Sequence, residues 1–449
     1  MSKSGLSEEL LIHGGRVLDE SGERVADVRV VDGAIAEVGA SLAASAGALT
    51  LDAEGCIVAP GLVDIQVHFR EPGREEAETI ETGARAAALG GCTAVICMPN
   101  TEPPLDDAAV MQSVLERGRG TSCDVRFAGC VTKGRRGEEL APMGELYDLG
   151  VRVFTDDGDC VADGRVMRGA FEYLRALAGA VLAQHAEDPA LVRGGHMHEG
   201  AWSARLGIPG RPAEAESSIV ARDLALARLT GGRYHVLHVS SAQTVALVRC
   251  GKAAGVRVTA ECTPQHLVLT DAACAEFDPV FKMNPPLREQ ADVDALREGL
   301  RDGTIDAIAT DHAPHAPETK AAPFEDAPPG MLGVETALAV VLTTLVEPGV
   351  ITLADAIGAL SWRPARVSGL DAVTPGRGTL AQGGHGGPIA VGRPANLCVI
   401  DPAARWVVDA NRLASRSTNS PWHEWKLTGK VRHTVLNGTP TVRDSEPTR

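Results

Sequence analysis

Aromatic side chains make up only 3% of the chain, which leaves no platform for stacking the bases of a single-stranded nucleic acid. Positive charge is also in deficit. Lys and Arg number 43 against 59 Asp and Glu, a net charge of −16, so no basic stripe is left over to neutralise a phosphate backbone. No apolar run approaches the roughly 20 residues that cross a bilayer, and Met1–Leu10 lacks the apolar core of a targeting segment. None of the ten cysteines forms a Cys-x-x-Cys pair; scattered from Cys56 to Cys398, they read as small buried hydrophobes of a reducing compartment, and a cytoplasmic location is expected. A Gly-x-Gly-x-x-Gly turn after the first strand is missing as well, which removes the main support for a dinucleotide fold. What remains is ordinary globular composition, 44% apolar and 23% charged over 449 residues, with 49 Gly and 27 Pro implying many tight loops.

The two ends read alike. Short apolar or alternating runs at Leu10–Ile12, Gly15–Leu18, Val25–Val31 and Ala34–Val38 return in kind at Ala395–Ile400, Arg405–Val408 and Val431–Gly438. One small β domain assembled from residues 1–55 and 389–449 is expected. Between them, strand-like runs alternate with helix-compatible ones. Eight strands are expected: Ile57–Asp64, Thr93–Met98, Asp124–Val131, Gly150–Phe154, Ala180–His185, Arg233–Val239, Val256–Cys262 and Asp306–Thr310. The intervening segments include Ala77–Leu89, Ala291–Leu300 and Ala215–Leu229, the last with Leu224, Leu226 and Leu229 on its presumed apolar face. Strict alternation predicts a parallel sheet, and eight units fit a closed α/β barrel of the (β/α)8 TIM type over residues 56–388.

Such a barrel carries its chemistry at the carboxyl ends of its strands. Most of the predicted ends hold a His, Asp or Asn: His68, Asn100, Asp157, His185, His238 and Asp311. Residues two apart on a strand share a face, so Gln66 and His68 point together. Imidazoles and carboxylates converging without cysteine suit Zn²⁺ or a similar ion in a water-bearing site, with one carboxylate able to bridge two ions. Asp156 and Asp157 are both placed to do so, and Asp157 is preferred. His235, three residues before His238, is expected on the opposite side of its strand, and His196 and His198 in a Gly-rich loop are expected to be structural. Arg70 and Asn100 at the same mouth are natural receptors for a substrate carboxylate.

The segments Asp64-Ile-Gln-Val-His-Phe-Arg-Glu-Pro-Gly73, Met98-Pro-Asn-Thr101, Phe154-Thr-Asp-Asp-Gly158, His185-Ala-Glu-Asp188, Lys282-Met-Asn-Pro-Pro-Leu-Arg288 and Ala309-Thr-Asp-His-Ala-Pro-His315 resemble the class I dihydroorotases of the amidohydrolase superfamily. The likeness runs over essentially the whole chain. It implies a metal-dependent (β/α)8 barrel flanked by a small β-sandwich domain, and the interconversion of N-carbamoyl-L-aspartate and L-dihydroorotate in pyrimidine biosynthesis by a metal-bound hydroxide. Carried over residue by residue, it implies one Zn²⁺ held by His68, Asp157 and Asp311. Asp157 would bridge to a second ion held by His185 and His238. Arg70, Asn100, Asn284 and His315 would bind substrate, the Pro329-Gly330 loop would add backbone contacts, and Asp311 would double as proton shuttle. A homodimer and a complex with aspartate transcarbamoylase are the assemblies it implies.

Two departures stand out. The family's first strand reads His-x-His where this one reads Gln66-Val-His68, so one imidazole ligand is replaced by an amide, and Thr-Pro-His-His becomes Thr263-Pro-Gln265-His266. The alternatives are a catalytically silent homologue scaffolding aspartate transcarbamoylase, and another cyclic-amide hydrolase of the hydantoinase or allantoinase type. Those last relatives commonly bridge their metals with a carbamylated Lys, whereas the bridge position here offers Asp157. The segment His312–Gly330, rich in Pro and Ala, has the composition of a loop over the site.

Overall fold

The computed structural model describes residues 9–374 and 382–448. Residues 1–8, most of the Met1–Leu10 segment that lacks an apolar targeting core, lie outside the described residues. The central part alternates strand and helix. Its eight parallel strands are Leu62–Val67, Cys92–Cys97, Asp124–Phe127, Val153–Phe154, Val181–Gln184, Tyr234–Val236, Val258–Cys262 and Ala307–Ile308. The first three pair in one sheet and the last five in another. Parallel bridges between Gly129 and Phe154 and between Val67 and His312 link the two sheets at both edges.

The expected first strand is divided. Ile57–Pro60 pairs with Arg16–Val17 and with Leu397–Ile400 in the terminal sheet, and only from Leu62 does the chain enter the parallel row. Gly61 makes the change of sheet possible, because a Cβ there would run into the Thr93 side chain. The terminal segments form a four-stranded and a seven-stranded sheet, which share a core of Leu10, Ile12, Val28, Leu51, Val58, Leu397 and Val399.

Period-two alternation positions the site. Val153, Val181 with Ala183, and Ala307 with Ala309 belong to one buried apolar cluster, with Val63, Ile65 and Ile96. Two residues further along each strand the same face carries Thr155 and Asp157, His185, and Asp311. The intervening positions, such as Phe154, Leu182 and Ile308, pack instead with the helices in the larger core. Among those helices is Glu214–Thr230. It buries Ile219, Val220, Leu224 and Ala227 and leaves Leu229 65% exposed, so the expected apolar face was mis-set by its last residue. No disulfide is formed among the described residues. Among the described residues no helix is long and apolar enough to cross a membrane.

Candidate metal and substrate site

His68, Arg70, Asn100, Asp157, His185, His238, Asn284, Asp311, His315, Pro329 and Gly330 all line one cavity of about 210 Å³. Gln66 does not line it; it is fully buried and reaches Asp157 from beneath. The expected pairing of Gln66 with His68 is seen in their shared target. Gln66 Nε2 donates to Asp157 Oδ1 at 3.1 Å, and His68 Nε2 lies 3.4 Å from Asp157 Oδ2.

Three ligand-type atoms meet at the Oδ1 side of Asp157. His238 Nε2 and His185 Nδ1 are 3.4 and 3.7 Å from Oδ1 and 2.9 Å from each other. Burial alone would raise the Asp157 carboxyl, but hydrogen bonds from the two imidazoles hold it well below the usual carboxylate range. A cation about 2.0–2.1 Å from each of three donors sets them roughly 3.3 Å apart in a tetrahedral shell, so this donor set fits such an ion by both chemistry and spacing. No lysine is among the residues lining the cavity.

The choice between the adjacent carboxylates is plain in the contacts. Asp156 accepts from Val131 N and Thr132 N at 2.8 and 3.0 Å and from the Thr132 hydroxyl, so it ties two loops together and only Asp157 faces the imidazoles. His235 is structural, though not by facing away. It is hydrogen-bonded to Thr259 and Glu261, while the alternate residues Ala260 and Cys262 pack outward with the helices. His238 departs from the alternation because its backbone adopts φ 32°, a left-handed conformation that re-aims its side chain. Arg70 and Asp311 share that conformation, at φ 58° and 48°. His196 and His198 lie at Lys282 Nζ and Arg288 Nη1, away from the cluster.

Asp311 Oδ1 rests 2.9 Å from His68 Nε2, while His68 Nδ1 faces Asn100 Oδ1 at 2.9 Å, so an amide from the second strand fixes the imidazole that orients the carboxylate. Arg70 Nε donates to Pro314 O at 3.0 Å, and Nη2 lies 3.5 Å from His315 Nε2. Arg70 forms no ion pair among the described residues. Burial lowers it to about 10, so it carries its charge into the cavity at neutral pH. The Pro329-Gly330 backbone is already engaged: His315 Nε2 donates to Pro329 O at 2.8 Å, and Gly330 N donates to Lys282 O at 2.8 Å. Gly330 holds φ 135°, and a Cβ there would press on Ala313 and His315.

Several contributors were not singled out from sequence. Glu187 Oε2 sits 3.5 Å from His185 Nε2 and 3.0 Å from Arg211 Nη1, and Arg211 also donates to Asn284 Oδ1, so one chain of contacts joins His185 to Asn284. The rule that pairs Gln66 with His68 also pairs His185 with Glu187, so that signal was present. Asp64 was not readable in this way: its carboxylate accepts Thr310 N at 3.1 Å and Thr310 Oγ1 at 2.5 Å, fixing the start of the Asp311 segment from the first strand.

A family model described as dihydro-orotase-like matches residues 55–244. The chain is similar to the dihydroorotase of Streptomyces coelicolor, 47% identical over 442 residues that cover 98% of this chain and 99% of that one. It is 48% identical to the dihydroorotase of Mycobacterium tuberculosis over 441 residues, 97% of this chain and 99% of the relative. Among solved structures, the L-hydantoinase (dihydropyrimidinase) of Arthrobacter aurescens aligns with a TM-score of 0.87 at 26% identity, over 99% of this chain and 98% of that one. The dihydropyrimidinase of Brevibacillus agri, at 24% identity and a TM-score of 0.83 over 98% and 96% of the two chains, shares the fold.

Proposed function

The chain belongs to the dihydroorotase family, and from that premise we propose that it interconverts N-carbamoyl-L-aspartate and L-dihydroorotate, a step of pyrimidine biosynthesis, as a metal-dependent cyclic amidohydrolase. The observation that carries the reading is the meeting of Asp157, His185 and His238 in one cavity with a buried Arg70 that forms no ion pair among the described residues. His and Asp donors without sulfur favour zinc. When bound, the ion polarises the reacting carbonyl and makes water nucleophilic near neutral pH.

The chain's own residues do the rest. Arg70 receives the substrate's carboxylate as the charge partner it otherwise lacks, with Asn100, Asn284 and His315 around it. That clamp sets the amide carbonyl against the nucleophile and converts binding into orientation. Asp311, oriented by His68, accepts the proton of the attacking water and returns it to the ring nitrogen as the C–N bond breaks. In the opposite direction it removes the ureido proton before the ring closes. Pro329 and Gly330, with their backbone groups engaged, serve as the wall against which the ring rests.

The strand row from Leu62 onward, joined at both edges, supports a closed (β/α)8 barrel that begins a few residues later than the expected residue 56, because Ile57–Pro60 belongs to the terminal sheet; the shared core of the two terminal sheets supports a β sandwich drawn from both ends of the chain. Cysteines that form no disulfide among the described residues agree with a cytoplasmic location. A homodimer and an aspartate transcarbamoylase complex belong to this reading through the family resemblance.

Purified, zinc-loaded protein should open L-dihydroorotate and close N-carbamoyl-L-aspartate with kcat/KM at least about 100-fold above that for unsubstituted hydantoin, which offers Arg70 no carboxylate. Preference for hydantoin would assign a neighbouring cyclic-amide hydrolase instead, and no turnover of either would assign a silent homologue.

A further inference from the structure

Two cation positions would share Asp157, and the structure treats them unequally. On the Oδ1 side, Asp157, His185 and His238 already bring three ligand atoms within 4.8 Å of one another. On the Oδ2 side stand His68, at 3.4 Å from Asp157, and Asp311, at 2.9 Å from His68. Among the described residues those three do not make such a group. Gln66 supplies no ligand atom to that side. Its NH2 group donates to Asp157 Oδ1, while its carbonyl oxygen is buried without a hydrogen-bond partner among the described residues.

Resting on the metal-dependent reading above, we propose that this chain holds one divalent cation per subunit, at Asp157, His185 and His238, and that the Gln66 N–H on Asp157 Oδ1 supplies, in place of a second cation, the additional charge stabilisation of that carboxylate. For Gln66 to ligate an ion on the Oδ2 side, its amide must turn over, which gives up the bond to Asp157 and sets two oxygens face to face. The gain would be an amide oxygen, a donor type that suits Mg²⁺, Ca²⁺ or Mn²⁺ better than zinc. In the observed orientation the N–H stabilises Asp157 as a carboxylate without a second positive ion. Asp311 then stays outside the coordination shell, resting on His68, and keeps its oxygens for proton transfer.

The test is a metal count with a spectroscopic partner. Full-length protein is stripped with a chelator, reloaded with excess Zn²⁺ or Co²⁺, desalted, and measured by plasma mass spectrometry and, for Co²⁺, by electron paramagnetic resonance. One metal per subunit and an isolated Co²⁺ signal are expected. Gln66→His should raise the count towards two and produce a magnetically coupled pair. Two ions or none in the unaltered chain would overturn the inference, as would a folded Gln66→His protein that still holds one. The unaltered chain decides the matter even if the variant fails to fold. Turnover of L-dihydroorotate on the same samples separates the two readings: two ions with turnover removes only this inference, and one ion without turnover removes only the proposed activity.

Discussion

Arg70, His238 and Asp311 each hold a left-handed backbone in a cavity wall, and each is a residue whose side chain the proposed chemistry needs in one direction. Left-handed non-glycine residues cost of order 1–3 kcal/mol, and such costs collect where a site has to be aimed. The consequence is sharpest at Asp311. Asp311→Asn keeps the size of the side chain and its neighbour His68 but cannot take a proton. Its kcat on L-dihydroorotate should fall by about 10²–10⁴-fold with KM changed far less, as steady-state kinetics would show. Equal loss in both parameters would make Asp311 a binding group and not the proton carrier. At this scale the sequence was informative wherever function fell at the end of a strand, because one period-two rule places Asp157, His185 and Asp311. It was uninformative where a contact joins distant positions. Asp64 bonding Thr310 and Glu187 bonding Arg211 leave no local pattern, and the positive φ of His238 defeats the alternation that the reading of His235 relied on.

At the scale of elements, the segment His312–Gly330 is tied down from several sides. Lys320 Nζ donates to Pro279 O at 2.6 Å and Pro328 O at 2.9 Å, and Lys282 Nζ donates to Glu325 O at 2.8 Å. A composition rich in Pro and Ala announces a loop, but not the two lysines that pin it. Burial, reinforced by the nearby Lys282 charge, pulls Lys320 down to about 7. The sign of the stability effect follows. Between about pH 7 and the ordinary lysine range the unfolded chain binds a proton that the folded chain does not, so Lys320 opposes folding less as pH rises. Compared with Lys320→Met, the unaltered protein should therefore gain stability from pH 7 to pH 9, by up to about 1 kcal/mol per pH unit. Denaturant titrations of both proteins across that range would check this. A constant difference between them would mean that Lys320 titrates normally. The same scale explains the divided first strand: Pro60-Gly61 interrupts the β-rich run Ile57–Val67, and the close approach of Gly61 to Thr93 lies where the chain leaves one sheet for another.

For the whole molecule, the β-rich ends and the eightfold alternation were legible because both are matters of composition and count. The bridges that join the strand row at Gly129–Phe154 and Val67–His312 were not, being single pairings between residues whose sequences carry no sign of one another. The architecture gives the candidate site its logic: strand ends as far apart in sequence as His68 and Asp311, 243 residues, deliver one or two side chains each, so no single segment holds the site and only the assembled row does. A cation gathered by that assembly is what the proposed ring chemistry requires. The most direct measurement is turnover of L-dihydroorotate by the intact protein before chelation, after it, and after zinc is returned. Activity should fall by at least about 100-fold on stripping and recover with zinc, while the fold, followed by circular dichroism, persists throughout. Undiminished turnover by protein shown to be free of metal would contradict the account.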